Sequence, residues 1–185
     1  AAGPAARAGM SVTQAVVVLL EDRLITLNRV VGLFRRRNFP ARSLSVGPTG
    51  TPGISRLTMM MQSDHAAAER AVQHLQKIVG VHDATVVPQG DAIARELALV
   101  KLRPSPEQYA ELLDVVQLYR ATLVDESADA VVVELTGSEA FVLSCLRALE
   151  RFEIVDVARS GAVAMESGAA DPRLGAHPQL EAGAR

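Results

Sequence analysis

The chain has 185 residues, of which 49% are hydrophobic, and its formal net charge at pH 7 is -2. This length suits one large core or two domains of about 80 residues, and the small net charge excludes a global electrostatic attraction to nucleic acid or to an anionic membrane. With 3% aromatic residues, no tryptophan and a single cysteine, the composition argues against base-stacking platforms, carbohydrate clefts and a disulfide framework.

The first half of the chain predicts a β-α-β-β-α-β order of elements. Residues 1–13 are expected to form a flexible arm, since the opening Ala, Gly, Pro and Arg residues have no apolar period. The apolar run at 15–20 is too short to span a bilayer, and we expect a cytoplasmic protein that does not contact membranes. The predicted elements are a strand at 14–21, a helix at 24–38, hairpin strands at 43–49 and 54–62, a helix capped by Asp64 and stopped by Gly80, and a strand at 81–88.

The second half repeats the same order. The predicted elements are a strand at 93–102, a helix at 106–119, hairpin strands at 121–126 and 130–135, a helix capped by Ser138, and a strand at 154–158. The inward positions predicted for the first of these helices are Tyr109, Leu112, Leu113, Val116 and Tyr119. Residues 167–185 are expected to be a disordered tail.

This duplication of element order predicts an α+β fold made of two tandem ferredoxin-like βαββαβ domains, at residues 14–90 and 91–166. In such a domain two helices cover one face of a four-stranded antiparallel sheet. The other sheet face needs a partner.

No catalytic or metal-binding constellation is visible in the sequence. The four histidines are scattered, Cys145 falls on the predicted inner face of a helix, and no acid-base pair has suitable spacing. Three consecutive arginines, Arg35, Arg36 and Arg37, end the first helix, where they are expected to complement the helix dipole. We therefore predict a protein that is not an enzyme and that holds no metal or cofactor of its own.

Several stretches resemble the acetolactate synthase (acetohydroxyacid synthase) small subunit, which pairs an ACT domain with a second, ACT-like domain. They lie at residues 27–34, 43–46, 54–58, 95–101 and 157–161. The resemblance implies a regulatory subunit that binds a large catalytic subunit, raises its activity and transmits feedback inhibition by valine. It also implies that thiamine diphosphate, Mg and FAD belong to that catalytic partner, and that the chain forms a homodimer through its ACT domain.

The feedback site of this family resembles an Asn-x-x-Gly turn before the first helix, completed by an asparagine before the second strand. Here Asp22, Ile25 and Pro40 occupy those three positions, and Thr26 follows in the turn. An aspartate repels a carboxylate, an isoleucine crowds the backbone, and a proline has neither an N–H nor an amide side chain. These departures predict that valine sensing is lost or altered.

Partner contact is predicted in the second domain, at Tyr119, Arg120, Asp125 and Asp129. Two other functions remain open. One is a free-standing amino-acid-sensing ACT module with a changed effector, and the other is an enzyme built on the ferredoxin-like fold. A role in a dedicated biosynthetic pathway is also compatible with the altered turn.

Overall fold

The computed structural model describes residues 12–87, 92–127 and 129–168. The predicted arm and tail therefore lie almost entirely outside the described residues. The chain divides into two compact units, one comprising Ala1–Ile93 with Ala164–Arg185 and the other comprising Ala94–Val163.

The first unit is a four-stranded antiparallel sheet with the strand order β2-β3-β1-β4. Its elements are β1 (Val12–Glu21), α1 (Leu24–Arg37), β2 (Ala41–Pro48), β3 (Ile54–Ser63), α2 (His65–Leu75) and β4 (Val81–Val87). The central strand β1 is buried along most of its length, as expected for a β-branched run that is flanked by strands on both sides. Strand β2 lies at one edge and β4 at the other.

The core of the first unit lies between this sheet and its two helices. It contains Val16, Val18 and Leu20 from β1 and Leu57 and Met59 from β3, each no more than 1% exposed. Helix α1 contributes Val30, Leu33 and Phe34, and α2 contributes Ala68, Ala71 and Leu75. The aliphatic stripes that predicted both helices are thus the ones that hold them on the sheet.

The start of α2 is confirmed and its predicted end is wrong. The Asp64 carboxylate accepts a 2.6 Å hydrogen bond from the backbone N–H of Ala67, as an N-cap should. The helix ends at Leu75, and Gly80 lies in the following turn with φ 94°. Gly80 was predicted to stop the helix, but its left-handed conformation belongs to the turn that enters β4.

The second unit has a sheet with the strand order β6-β7-β5-β8. Its elements are β5 (Ala92–Arg103), α3 (Tyr109–Leu118), β6 (Thr122–Glu126), β7 (Val131–Gly137), α4 (Glu139–Leu149) and β8 (Glu153–Arg159). A short strand that was not predicted, β9 (Val163–Glu166), also pairs with β5. The Ser138 hydroxyl accepts a hydrogen bond from the backbone N–H of Phe141, which confirms the predicted cap of α4.

The predicted inner face of α3 is wrong at one position. Leu112 and Val115 are buried, whereas Leu113 is 40% exposed. Helix α3 begins three residues later than Pro106, because the Pro104 to Gln108 segment forms a separate turn closed by the Gln108 N–H on the Ser105 carbonyl.

The βαββαβ order occurs twice, with an antiparallel sheet in each unit, so the predicted fold class is confirmed. No helix among the described residues is both long and apolar enough to cross a membrane.

Candidate functional site

The turn from β1 into α1 is held by backbone bonds to two other loops. The N–H of Glu21 donates to the carbonyl of Gly80, and the N–H of Asp22 donates to the carbonyl of Gly53, both at 2.8 Å. Arg23 is the N-cap residue, in an extended conformation, and its side chain makes no capping bond. The turn is therefore anchored to the β2–β3 hairpin on one side and to the loop before β4 on the other.

Asp22 adds a side-chain bond to this anchoring. Its Oδ1 accepts a 2.9 Å hydrogen bond from the hydroxyl of Ser55, which is only 5% exposed. A carboxylate just before a helix also interacts favourably with the positive end of the helix dipole. The Asp22 carboxylate thus occupies, from within the chain, the kind of position where a helix start attracts an anion.

A small hollow of about 120 Å³ lies beside this turn. It is lined by Leu20, Glu21, Asp22, Arg23, Leu24, Leu27, Val46 and Ser55. Small-molecule sites usually measure about 300–1,000 Å³. One copy of the chain therefore forms a hollow below this range, with two carboxyl side chains in its lining.

Ile25 and Thr26 do not line the hollow. The Ile25 side chain is 54% exposed, whereas Thr26 is fully buried against the loop before β4. A Cβ added at Gly80 would stand 2.7 Å from the Thr26 Oγ1, which shows how closely Thr26 fits there. Of the predicted effector positions in the turn, only Asp22 faces the hollow.

Pro40 lies far from this turn within one copy. It follows the end of α1, a 14-residue helix, and a helix of that length spans about 20 Å. The Pro40 carbonyl accepts a hydrogen bond from the N–H of Gln62, at the opposite end of β3 from Ser55. The structure does not bring Asp22 and Pro40 together in one chain.

Sequence reasoning missed Ser55 as a member of this site. Nothing in the pattern of β3 distinguishes this serine, since its role depends on a contact with a residue 33 positions away. The pairing of Leu20 in β1 with Ser55 in β3 brings it to the turn.

An apolar edge runs along α1 and β2 in the same unit. Leu24 is 85% exposed, and Val31, Leu44 and Val46 are between 40% and 45% exposed. Strand β2 pairs only with β3, so the other side of its backbone is open among the described residues.

The partner-contact candidates of the second unit lie at two separate places. The Tyr119 hydroxyl contacts the Ser144 hydroxyl at 2.9 Å, and its ring packs on Phe141 with the ring centroids 5.5 Å apart. Arg120, with φ 50°, is exposed directly after it. Asp125 and Asp129 are exposed beyond the far end of the five-residue strand β6, about 16 Å along the strand.

The described residues contain no group of three or more His, Cys, Asp or Glu side chains that could hold a metal ion. Cys145 is 1% exposed, and burial raises the pKa of its thiol to about 11. A thiol of this kind stays protonated at neutral pH and is a poor nucleophile.

Comparison with known families gives two matches that together span most of the chain. Residues 6–83 match the family described as an AHAS small subunit-like ACT domain. Residues 95–168 match the family described as the small subunit of acetolactate synthase. The boundary between the two matches falls where the first unit passes into the second.

Individual relatives give the same picture. The chain is 33% identical to a probable acetolactate synthase small subunit of Archaeoglobus fulgidus, over 83% of this chain and 96% of the relative. It is 33% identical to the acetolactate synthase small subunit of Mycolicibacterium smegmatis, over 84% of this chain and 92% of the relative. The crystal structure of the small subunit from Thermotoga maritima superposes with a TM-score of 0.80 at 29% identity, over 86% of this chain and 99% of that one.

Proposed function

Because the chain belongs to the family of acetolactate synthase small subunits, we propose that it activates a catalytic large subunit and that its own response to valine is lost or altered. Thiamine diphosphate, Mg and FAD would be bound by that catalytic partner.

Activation needs only a protein surface. A subunit that binds one conformation of its partner more tightly than the others shifts the partner toward that conformation by the difference in binding free energy. The small subunit would therefore raise turnover by stabilising the competent arrangement of the partner's own active site.

The hydrogen bond from Ser55 to Asp22 is the observation that carries the proposed loss of valine sensing. An amino acid brings its own carboxylate, which the Asp22 carboxylate repels at the mouth of the hollow. Asp22 is also engaged with the hairpin through both its side chain and its backbone N–H. A ligand would have to displace these contacts in addition to overcoming the repulsion.

A homodimer is supported by the apolar edge formed by Leu24, Val31, Leu44 and Val46. An exposed apolar edge beside an open strand is a common place for a second chain to pair. Pairing of two copies there would also enlarge the hollow at the turn and cover Leu24.

Contact between the second unit and the partner stays a prediction. Arg120, Asp125 and Asp129 are exposed and available to another chain. Tyr119 has a contact within its own unit through Ser144, so its contribution would be to hold Arg120 in place.

The alternative function, a free-standing amino-acid-sensing module with a changed effector, is favoured by one feature of the turn. No described residue accepts a hydrogen bond from the backbone N–H of Leu24 or Ile25, at the positive end of α1. Such amides could hold an effector of different shape. Thermal-shift measurements on the isolated protein with a panel of amino acids test this alternative, and a shift with a single amino acid would support it.

Co-purification with a catalytic large subunit, followed by an acetolactate assay with and without this chain and with added valine, tests the main proposal. We expect binding, a several-fold rise in turnover, and little change on addition of valine. A partner that neither binds nor responds to the chain would refute the activating role. Ordinary valine inhibition would refute only the loss of sensing.

A further inference from the structure

Helix α1 ends in three exposed arginines, Arg35, Arg36 and Arg37. Consecutive positions on a helix are separated by 100°, so the three side chains fan over about 200° around the helix end. They form a basic surface at the end of α1, which we call the arginine end, rather than a stripe along one side.

The arginine end is not needed to cap the helix. Asn38 adopts the left-handed conformation at φ 51°, and its N–H donates to the Arg35 carbonyl while the N–H of Phe39 donates to the Phe34 carbonyl. Phe34 and Phe39 meet edge to face with their centroids 6.2 Å apart. Backbone bonds and an apolar contact of this kind complete a helix terminus without any side-chain donor.

The three guanidinium groups also lack partners among the described residues: none of them makes a hydrogen bond or an ion pair there. Asp64, at the same end of the sheet, uses its carboxylate to cap α2, and Glu69 faces His65. The helix dipole offers only about half a negative charge at this end. Three positive charges exceed what the helix itself can compensate.

The charge of the first unit is opposite in sign to that of the whole chain. Residues 12–87 carry nine Arg and Lys against five Asp and Glu, although the chain as a whole has a net charge of -2. Clustering like charges costs stability unless an opposite charge is supplied from outside. An external anionic surface is the element that would compensate this cluster.

We propose that the arginine end docks on an acidic surface of the catalytic large subunit. This inference rests on the proposed function, since it names the contact through which the activating subunit would bind. Guanidinium groups pair with carboxylates through two parallel hydrogen bonds, which gives such a contact direction as well as charge. Packing of Phe39 against Phe34 and beside His74 holds the helix end in position for it.

The test compares two variants of equal charge in the full-length protein. One is Arg35→Gln/Arg36→Gln/Arg37→Gln, and the control is Arg70→Gln/Lys77→Gln/Arg147→Gln, which removes three exposed positive charges elsewhere. Affinity for the catalytic subunit is measured by calorimetry at low and high salt, and each isolated variant is melted. We expect the first variant to bind about ten-fold or more weakly with a smaller salt dependence, and the control to change affinity less than about two-fold.

The outcomes separate the possible errors. Equal affinities of the two variants would overturn the inference while leaving the proposed function in place, and a wild-type chain that does not bind at all would overturn both. A marked fall in the melting temperature of the first variant alone would show that the arginines serve the helix terminus. Stabilisation of the wild type by inorganic pyrophosphate, absent in the first variant and accompanied by unchanged partner affinity, would assign the arginine end to a free anion instead.

Discussion

Ser55 donates its hydroxyl hydrogen to the Asp22 carboxylate at 2.9 Å and thereby ties the start of α1 to the β2–β3 hairpin. Asp22 is exposed whereas Ser55 is buried, so the loss of this bond is felt mainly at the serine. We expect Ser55→Ala to lower the free energy of unfolding by about 1 kcal/mol, as measured by urea titration. Ser45→Ala, at a half-buried serine in β2, is the matched control, and an equal loss in both variants would contradict a specific role of the bond.

Asp22 and Ile25 are expected to differ in their effect on valine binding. Asp22 faces the hollow and repels a carboxylate, whereas Ile25 points to solvent. Asp22→Asn should therefore strengthen valine binding about ten-fold or more, since it removes the repulsion and supplies an amide donor. Ile25→Gly should leave the affinity nearly unchanged. Calorimetry on both variants decides the point, and a larger gain from Ile25→Gly would show that the isoleucine is the true obstruction.

Gly80 is expected to be the least replaceable glycine of the first unit. It has φ 94°, and an added Cβ would stand 2.7 Å from the Thr26 Oγ1 and 2.9 Å from its Cγ2. Gly80→Ala should cost about 2–4 kcal/mol of stability through backbone strain and overlap together.

Two other glycines separate these causes. Gly53 also has a positive φ but has open space around it, so Gly53→Ala should cost about 1 kcal/mol from strain alone. Gly47 has neither constraint and should tolerate alanine. Urea titration of the three variants should give this order, and a cost at Gly80 no larger than at Gly53 would rule out the contact with Thr26.

Sequence patterns predicted those features of the fold that depend on neighbours along the chain. The apolar spacing in α1 and the caps at Asp64 and Ser138 are local signals, and the structure confirms them. The end of α2 was misplaced because a glycine that stops a helix and a glycine in a later turn look the same in sequence. The inner face of α3 was misjudged at Leu113 because its residues are apolar on several sides and the stripe is poorly defined.

The candidate site was less predictable, because it depends on contacts between distant parts of the chain. Asp22 was identified from a resemblance, but its partner Ser55 enters the site only through the pairing of β1 with β3. Ile25 and Asp22 are three residues apart, and sequence alone could not show that one faces solvent while the other lines the hollow. Pro40 belongs to the opposite end of α1, so its relation to the turn depends on a second copy.

Cys145 should make stability fall at high pH. Burial raises the pKa of its thiol from 9.0 to about 11, so the folded state keeps the thiol protonated where the unfolded chain has lost the proton. The contribution is fully present below about pH 9 and is lost as the pH rises toward 11, with a slope of at most about 1.4 kcal/mol per pH unit.

The check is urea titration of the wild type and Cys145→Ala at pH 8 and at pH 10.5. Other groups also titrate in this interval, so the quantity of interest is the difference between the two proteins. The wild type should lose about 1–2 kcal/mol more than Cys145→Ala over the interval. Equal losses would mean that the thiol does not contribute.

Glu96 and Arg159 form a partly buried ion pair in the second unit that should matter more than the exposed pairs around it. The Glu96 side chain is only 4% exposed and that of Arg159 is 32% exposed, whereas the side chains of Arg103 and Glu153 are each more than half exposed. Arg159→Met leaves a buried carboxylate without its charge partner, and should cost about 2–3 kcal/mol once the partial exposure of Arg159 is allowed for. Arg103→Met, the matched control, should cost less than about 1 kcal/mol. Adding Glu96→Gln to Arg159→Met should recover part of the loss, because it removes the unpaired charge. A double variant as unstable as the single one would show that the guanidinium contributes through packing rather than through its charge.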